Sequence, residues 1–278
     1  MIYCKELDKS FETKEQMFKE LMLNKDFIIK EKTSNILKSC EKGLSVVANQ
    51  DAIFKALETN KALKLDSDYY YFVVNSSNIL DSHRDLHVKG NWDKSVKEQQ
   101  GKVYLVFDHK LKRNEIIAMK EDITMFTAEI PFSLIGKNYE GDTYALIYKV
   151  AKNRIVNKEA KEWLNDGYSL EASVRMQYVK IELAVNTNDT DSVKEKETFD
   201  KYIDVIANKN EFKDLDYFWV VKEAKNVQES SLVMFGSNSA TGTIQENKTE
   251  ADVITSEKTE PSDDTQTTEM LKQLLNKF

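Results

Sequence analysis

The sequence predicts an α+β fold, and three observations carry that expectation. Short aromatic and β-branched runs such as Tyr69-Tyr70-Tyr71-Phe72-Val73-Val74 recur through the middle of the chain, as half-buried strands do. Other stretches return their apolar residues at helical spacing. Many strands with a few interspersed helices fit a mixed sheet or a closed barrel.

Taken in order, residues 1–64 read as an N-terminal helical segment. Phe11, Met17, Phe18, Leu21, Phe27, Ile28 and Ile29 recur among lysines and glutamates, and Thr13 with Gln16 resembles a capping box. A second helix is expected over about 50–63. This segment serves either as a packed cover or as a docking arm. Residues 65–237 form the main domain, with strands expected over 69–74, 103–107, 123–132 and 143–150. A helix over 152–166 places Ile155, Ala160, Trp163 and Leu164 on one side, with Gly167 where a C-cap glycine belongs. A long strand over 169–183 follows, then a short helix around Phe199, Ile203 and Ile206. Strands over 217–221 and 230–235 close the domain.

The composition turns polar from Gly236, and residues 238–278 read as a disordered acidic tail, because so few large apolar residues cannot offset the entropy of ordering. Met270, Leu271, Leu274, Leu275 and Phe278 mark a short terminal amphipathic helix, which either docks on a partner or packs back on its own domain.

Composition excludes several classes. The net charge of −7 with no basic stripe disfavours nucleic-acid binding. Cys4 and Cys40 are the only cysteines, too few for a disulfide framework or a zinc site, and fit a reducing compartment. The charged start is no signal peptide, and no run has the ~18 apolar residues of a membrane span, so a soluble protein made in a cytoplasm is expected. There is no P-loop, no Gly-x-Gly-x-x-Gly, no Gly-x-Ser-x-Gly elbow and no His-Glu-x-x-His, and no cofactor is implied.

Three histidines remain as candidate chemistry. His83 and His87 lie in the charged, turn-like stretch 81–87; their i, i+4 spacing lacks a helix and a partner cluster, so no metal site is expected. His109 ends the strand over 103–107. Alternation would place it with Val103, Leu105 and Phe107, half-sheltered, as suits a general base. Ser169 and Ser173 share the polar face of the strand after Gly167, with Glu171, Arg175 and Gln177, roughly 13 Å apart at strand rise. Only one of them can meet the same imidazole. On pattern alone, a serine in such a stripe is ordinarily a solvated one.

The order of segments then matters. Asp81-Ser82-His83-Arg84-Asp85 through Gly90-Asn91-Trp92-Asp93, Asp108-His109 after a β run, Glu121-Asp122-Ile123 entering a strand, Gly167-Tyr168-Ser169-Leu170-Glu171-Ala172-Ser173, and Glu229-Ser230-Ser231-Leu232-Val233 follow one another over about residues 70–240. Together they resemble the prohead maturation serine proteases of tailed bacteriophages, a family related in fold to the herpesvirus maturation protease. The resemblance implies a small β-barrel with helices around it, His109 as general base, Ser173 as nucleophile and Glu229 as the third member. The chain has Ser173-Val174-Arg175-Met176 where the family has Ser-x-Gly-Phe, which keeps Ser169 as a fallback. It also implies the scaffold or major capsid protein of a procapsid, self-association and self-cleavage as partners and events, and a path from host cytoplasm to procapsid interior. The competing readings are a non-catalytic capsid-assembly protein that keeps the protease fold, and an unrelated cytoplasmic binding protein.

Overall fold

The computed structural model describes residues 1–38, 45–46, 66–168, 170–212 and 214–233. The helix expected over 50–63, Cys40, Ser169 and the tail over 238–278 lie outside the described residues. The chain opens differently from expectation. β1 (Ile2–Cys4) and β2 (Lys9–Phe11) form an antiparallel hairpin whose turn places Asp8 at φ 47°, a left-handed conformation that a short polar side chain tolerates. Helix α1 (Lys14–Leu23) starts as the sequence indicates, with the Thr13 hydroxyl accepting the Gln16 N–H at 3.2 Å. α2 (Lys25–Ser34) follows directly. Cys4, Phe11, Met17, Phe18, Leu21 and Ile28 bury into the same core as the strands.

The remaining strands build two further sheets. β3 (Ile36–Lys38), β4 (Ser45–Val46), β6 (Asp85–His87), β7 (Tyr104–Phe107), β8 (Ile116–Ala118), β11 (Leu170–Val185) and β12 (Tyr217–Val233) form a seven-stranded mixed sheet. β5 (Tyr69–Ser76), β9 (Ile123–Pro131) and β10 (Asp142–Ala151) form a three-stranded antiparallel sheet. None of the sheets closes into a barrel: β8 ends one path of the large sheet, and β5 and β9 are both edges of the small one. The α+β class and the mixed sheet hold, and the barrel does not. Among the described residues no helix is long and apolar enough to cross a membrane.

Two expected strands are one. The stretches over 217–221 and 230–235 join as β12 because the polar residues between them continue the ladder with β11 through bulges instead of turning away. β12 pairs antiparallel with β11 and parallel with both β6 and β7, so it is the spine of the large sheet. Its inner face and that of β11 (Leu170, Ala172, Val174, Met176) pack on Phe72, Val74, Leu146 and Tyr148 of the small sheet. Short helices α3 (Asp93–Gln99), α4 (Lys158–Asn165) and α5 (Val193–Tyr202) flank the sheets. α4 is shorter than the helix expected over 152–166, since Asn157 caps it by accepting the Ala160 N–H at 3.0 Å. It ends as expected: Gly167 adopts φ 74° and the Tyr168 N–H reaches back to the Trp163 carbonyl at 3.0 Å, a Schellman closure.

Candidate functional site

The site lies on the face of the large sheet that turns away from this inter-sheet core. By strand alternation Ser173 of β11 and Glu229 and Ser231 of β12 share that face, and Ser173 and Ser231 are direct cross-strand partners. Glu229 owes its place to a bulge. Val174 pairs with Ser230 and Met176 with Asn226, so β12 spends four steps where β11 spends two. Gln228, at φ 67°, absorbs the excess and its side-chain oxygen accepts from Arg175 at 2.8 Å. Bulges of this kind re-aim the side chain that follows them.

The histidine arrives by a turn, not by strand alternation. β7 ends at Phe107, and Asp108 and His109 adopt φ 46° and 53° in succession. The Lys110 N–H closes on the Phe107 carbonyl at 2.9 Å, as in the mirror-image turns that need positive φ at both central residues. Non-glycine residues adopt this conformation only where their surroundings hold them. Here the Asp108 N–H donates to the Leu232 carbonyl at 3.0 Å and the His109 N–H to the Ser231 hydroxyl at 2.8 Å. The turn swings the imidazole over β12 and β11. Its side chain is 2% exposed, so it is buried where a half-sheltered position was expected.

Three side chains meet as a result. His109 Nε2 lies 2.7 Å from Ser173 Oγ, and His109 Nδ1 lies 3.0 and 3.1 Å from the two oxygens of Glu229. A carboxylate offers only acceptors, so Nδ1 carries the proton and the neutral ring turns an accepting Nε2 to the serine hydroxyl. Ser173 and Glu229 are fully buried. Ser173 is therefore not the solvated serine its polar stripe indicates: the His109 turn covers that part of the face. Water is excluded, and the low dielectric strengthens each hydrogen bond.

Behind the bulge, on the opposite face, Asn226 donates to the Tyr148 hydroxyl at 2.6 Å and to Ser230 Oγ at 2.9 Å, and Ser230 reaches Tyr148 at 3.0 Å. Burial pushes the Tyr148 hydroxyl well above its usual range, with the Glu229 charge adding to the effect, so Tyr148 stays a neutral hydrogen-bonding post under β12. Ser231, Asn226 and Gln228 were not singled out from the sequence. Two consecutive serines inside an otherwise apolar strand end were the available signal, since buried hydroxyls need partners.

The other histidines serve elsewhere. The stretch 81–87 is a turn followed by β6, which pairs with the opposite end of β12. His87 is buried, stacked on Trp92 with ring centroids 5.8 Å apart and hydrogen-bonded to Asn91 at 2.7 Å. Burial lowers its pKa to about 3. His83 lies near Lys5 at 3.1 Å. Among the described residues no group of His, Cys, Asp and Glu could hold a metal ion.

No family model matches the chain. No curated protein matches it either. Among solved structures the chain is similar to the bacteriophage T4 capsid assembly protease, with a TM-score of 0.32 and 11% sequence identity, over 72% of this chain and 94% of that one.

Proposed function

We propose that this protein is a serine endopeptidase. The observation that carries the reading is the unbroken chain Ser173 Oγ, His109 Nε2, His109 Nδ1, Glu229, with contacts of 2.7 and 3.0 Å. In this reading His109 takes the Ser173 proton as Oγ attacks a peptide carbonyl, and Glu229 stabilises the imidazolium and fixes its tautomer. The imidazolium returns that proton to the departing amine. Water, deprotonated by the same ring, then releases the acyl group and restores Ser173. Because Ser173 is fully buried, acylation requires a displacement that opens the site.

The order of the five motifs supports a more specific role: cleavage of scaffold or capsid protein, and of the chain itself, inside a phage procapsid after synthesis in the host cytoplasm. A non-catalytic capsid-assembly role would be favoured by a histidine out of reach of any serine, and the 2.7 Å contact speaks against it. The test is expression of the wild type beside Ser173→Ala, alone and with the major capsid protein, followed by intact mass spectrometry. Fragments in the wild type that vanish in Ser173→Ala are expected. Fragments that persist in Ser173→Ala refute the assignment of the nucleophile, and an intact capsid protein under co-expression refutes the substrate.

A further inference from the structure

The proposed triad leaves one buried polar side chain of the site without a role. Ser231 Oγ has one proton and two lone pairs. It accepts the His109 N–H at 2.8 Å, and its own proton is shared between the Val106 and Leu232 carbonyls, each at 3.1 Å. It is fully buried, and it is the cross-strand partner of Ser173. The backbone ladder between β7 and β12 cannot supply this acceptor. It runs in parallel from Tyr104 opposite Glu229 to Phe107 opposite Leu232, and the Leu232 carbonyl already takes the Asp108 N–H.

His109 is the second of two successive left-handed residues, in a conformation that bulky side chains avoid. Two backbone N–H groups of the turn are held on β12, that of Asp108 by the Leu232 carbonyl and that of His109 by Ser231, so the Ser231 contact is the one that holds the His109 backbone. Remove that acceptor and the His109 N–H is buried without a partner. The turn then gains by relaxing toward ordinary φ, which moves the Cβ of His109 and swings the ring out of line with Glu229 and Ser173. Displacements of about 1 Å at such a contact lower rates by about 100-fold.

We propose that Ser231 is a positioning residue for the general base: its hydroxyl holds the His109 backbone so that the imidazole bridges Glu229 and Ser173. The proposal rests on the serine-protease reading and deepens it. Cross-strand pairing ties the two functions together, because one rung of the β11–β12 ladder carries both the nucleophile and the anchor of its base.

The test uses the full chain as wild type, Ser231→Ala, Ser231→Thr and Glu229→Gln. Two quantities are read: the low-field Nδ1–H proton resonance of His109 in histidine-labelled protein, and the rate and pH midpoint of Ser173 labelling by diisopropyl fluorophosphate. His87, at the far end of β12, reports whether the sheet is intact. Ser231→Ala is expected to lose the resonance, to label ~10- to 100-fold more slowly and to shift the pH midpoint, with the His87 signals unchanged. Ser231→Thr keeps the hydroxyl and is expected to label within about threefold of the wild type. A Ser231→Ala protein with the wild-type resonance, rate and midpoint overturns the proposal, as does equal impairment of the Ala and Thr variants. Where the reagent does not reach wild-type Ser173, persistence of the resonance in Ser231→Ala overturns it. A His109 resonance insensitive to Glu229→Gln, in a wild type that does not label, instead overturns the triad itself.

Discussion

Replacing Glu229 by glutamine is the most discriminating single change in the site. Glutamine conserves shape and fills the same buried space, so the bulge and the cross-strand pairs of β12 have no steric reason to shift. What changes is the hydrogen-bond code. Glu229 presents two acceptors to His109 Nδ1, at 3.0 and 3.1 Å. Glutamine presents one acceptor and one NH2 group. With the NH2 toward the ring, Nδ1 must accept, Nε2 must carry the proton, and that proton points at Ser173 Oγ 2.7 Å away, where no base remains. Even with the amide oxygen toward the ring, the charge that stabilises the imidazolium is gone. A wrong tautomer in a triad of this geometry lowers the acylation rate by ~10³- to 10⁴-fold, about 4–5.5 kcal/mol of transition-state stabilisation. Stability is expected to hold or rise, because a neutral amide replaces a buried charge. The assay is the rate of fluorophosphonate labelling at Ser173, with thermal melts alongside to exclude unfolding. A Glu229→Gln protein that labels within about tenfold of the wild type would refute the role given to Glu229.

Further expectations concern the far end of β12. His87 is buried neutral, its pKa lowered to about 3, so it contributes stability that is fully present above its unfolded value of 6.5 and is lost as pH falls toward 3. Asp81 is pushed the other way, up to about 7, chiefly by burial and then by the neighbouring Asp85 charge; its contribution is present below 3.8 and lost as pH rises toward 7. The two pH slopes therefore have opposite signs between about pH 4 and 6.5. His87→Phe should expose the Asp81 slope, with urea stability falling as pH rises, and Asp81→Asn the opposite slope; unchanged pH profiles in both would sink this account. Lys32→Met should destabilise by about 3–5 kcal/mol, because Asp85, paired with Lys32 at 2.5 Å and nearly unexposed, keeps among the described residues only the Tyr178 hydroxyl. Adding Asp85→Asn to Lys32→Met should restore most of the loss in urea unfolding, and a loss below about 1 kcal/mol in the single variant would show the pair to be well solvated.

Much of the element list was legible in local pattern. The strands around Tyr69, Val103, Ile123, Thr143 and Leu170 are close to where their alternation places them, and Thr13 and Gly167 mark helix ends, because period and capping are properties of a few consecutive residues. The hairpin over residues 2–11 was hidden by apolar spacing compatible with a helix. β6 and β8 were missed because three-residue strands have no period to detect; only partners at residues 219–221 and on β7 make them strands. A closed barrel fitted both the strand pattern and the family resemblance, but closure depends on how the edges of the sheets meet, and the edges at β5, β8 and β9 stay apart.

The sequence by itself determined that this chain is an α+β protein, put Ser173 and Glu171 on one face of a strand and Val174 and Met176 on the other, and nominated His109, Ser173 and Glu229 through the order of their segments. Only the tertiary structure decided that these three touch. His109 and Ser173 are 64 residues apart and His109 and Glu229 are 120 apart, so their meeting depends on long-range pairing that no local pattern encodes. A parallel ladder brings β7 beside β12, two left-handed residues carry the imidazole back over the sheet, and two extra residues in β12 set the carboxylate beneath it. Bulges and positive φ angles are stabilised by contacts across the sheet, and that is why the geometry of this site becomes readable only once the strands are paired.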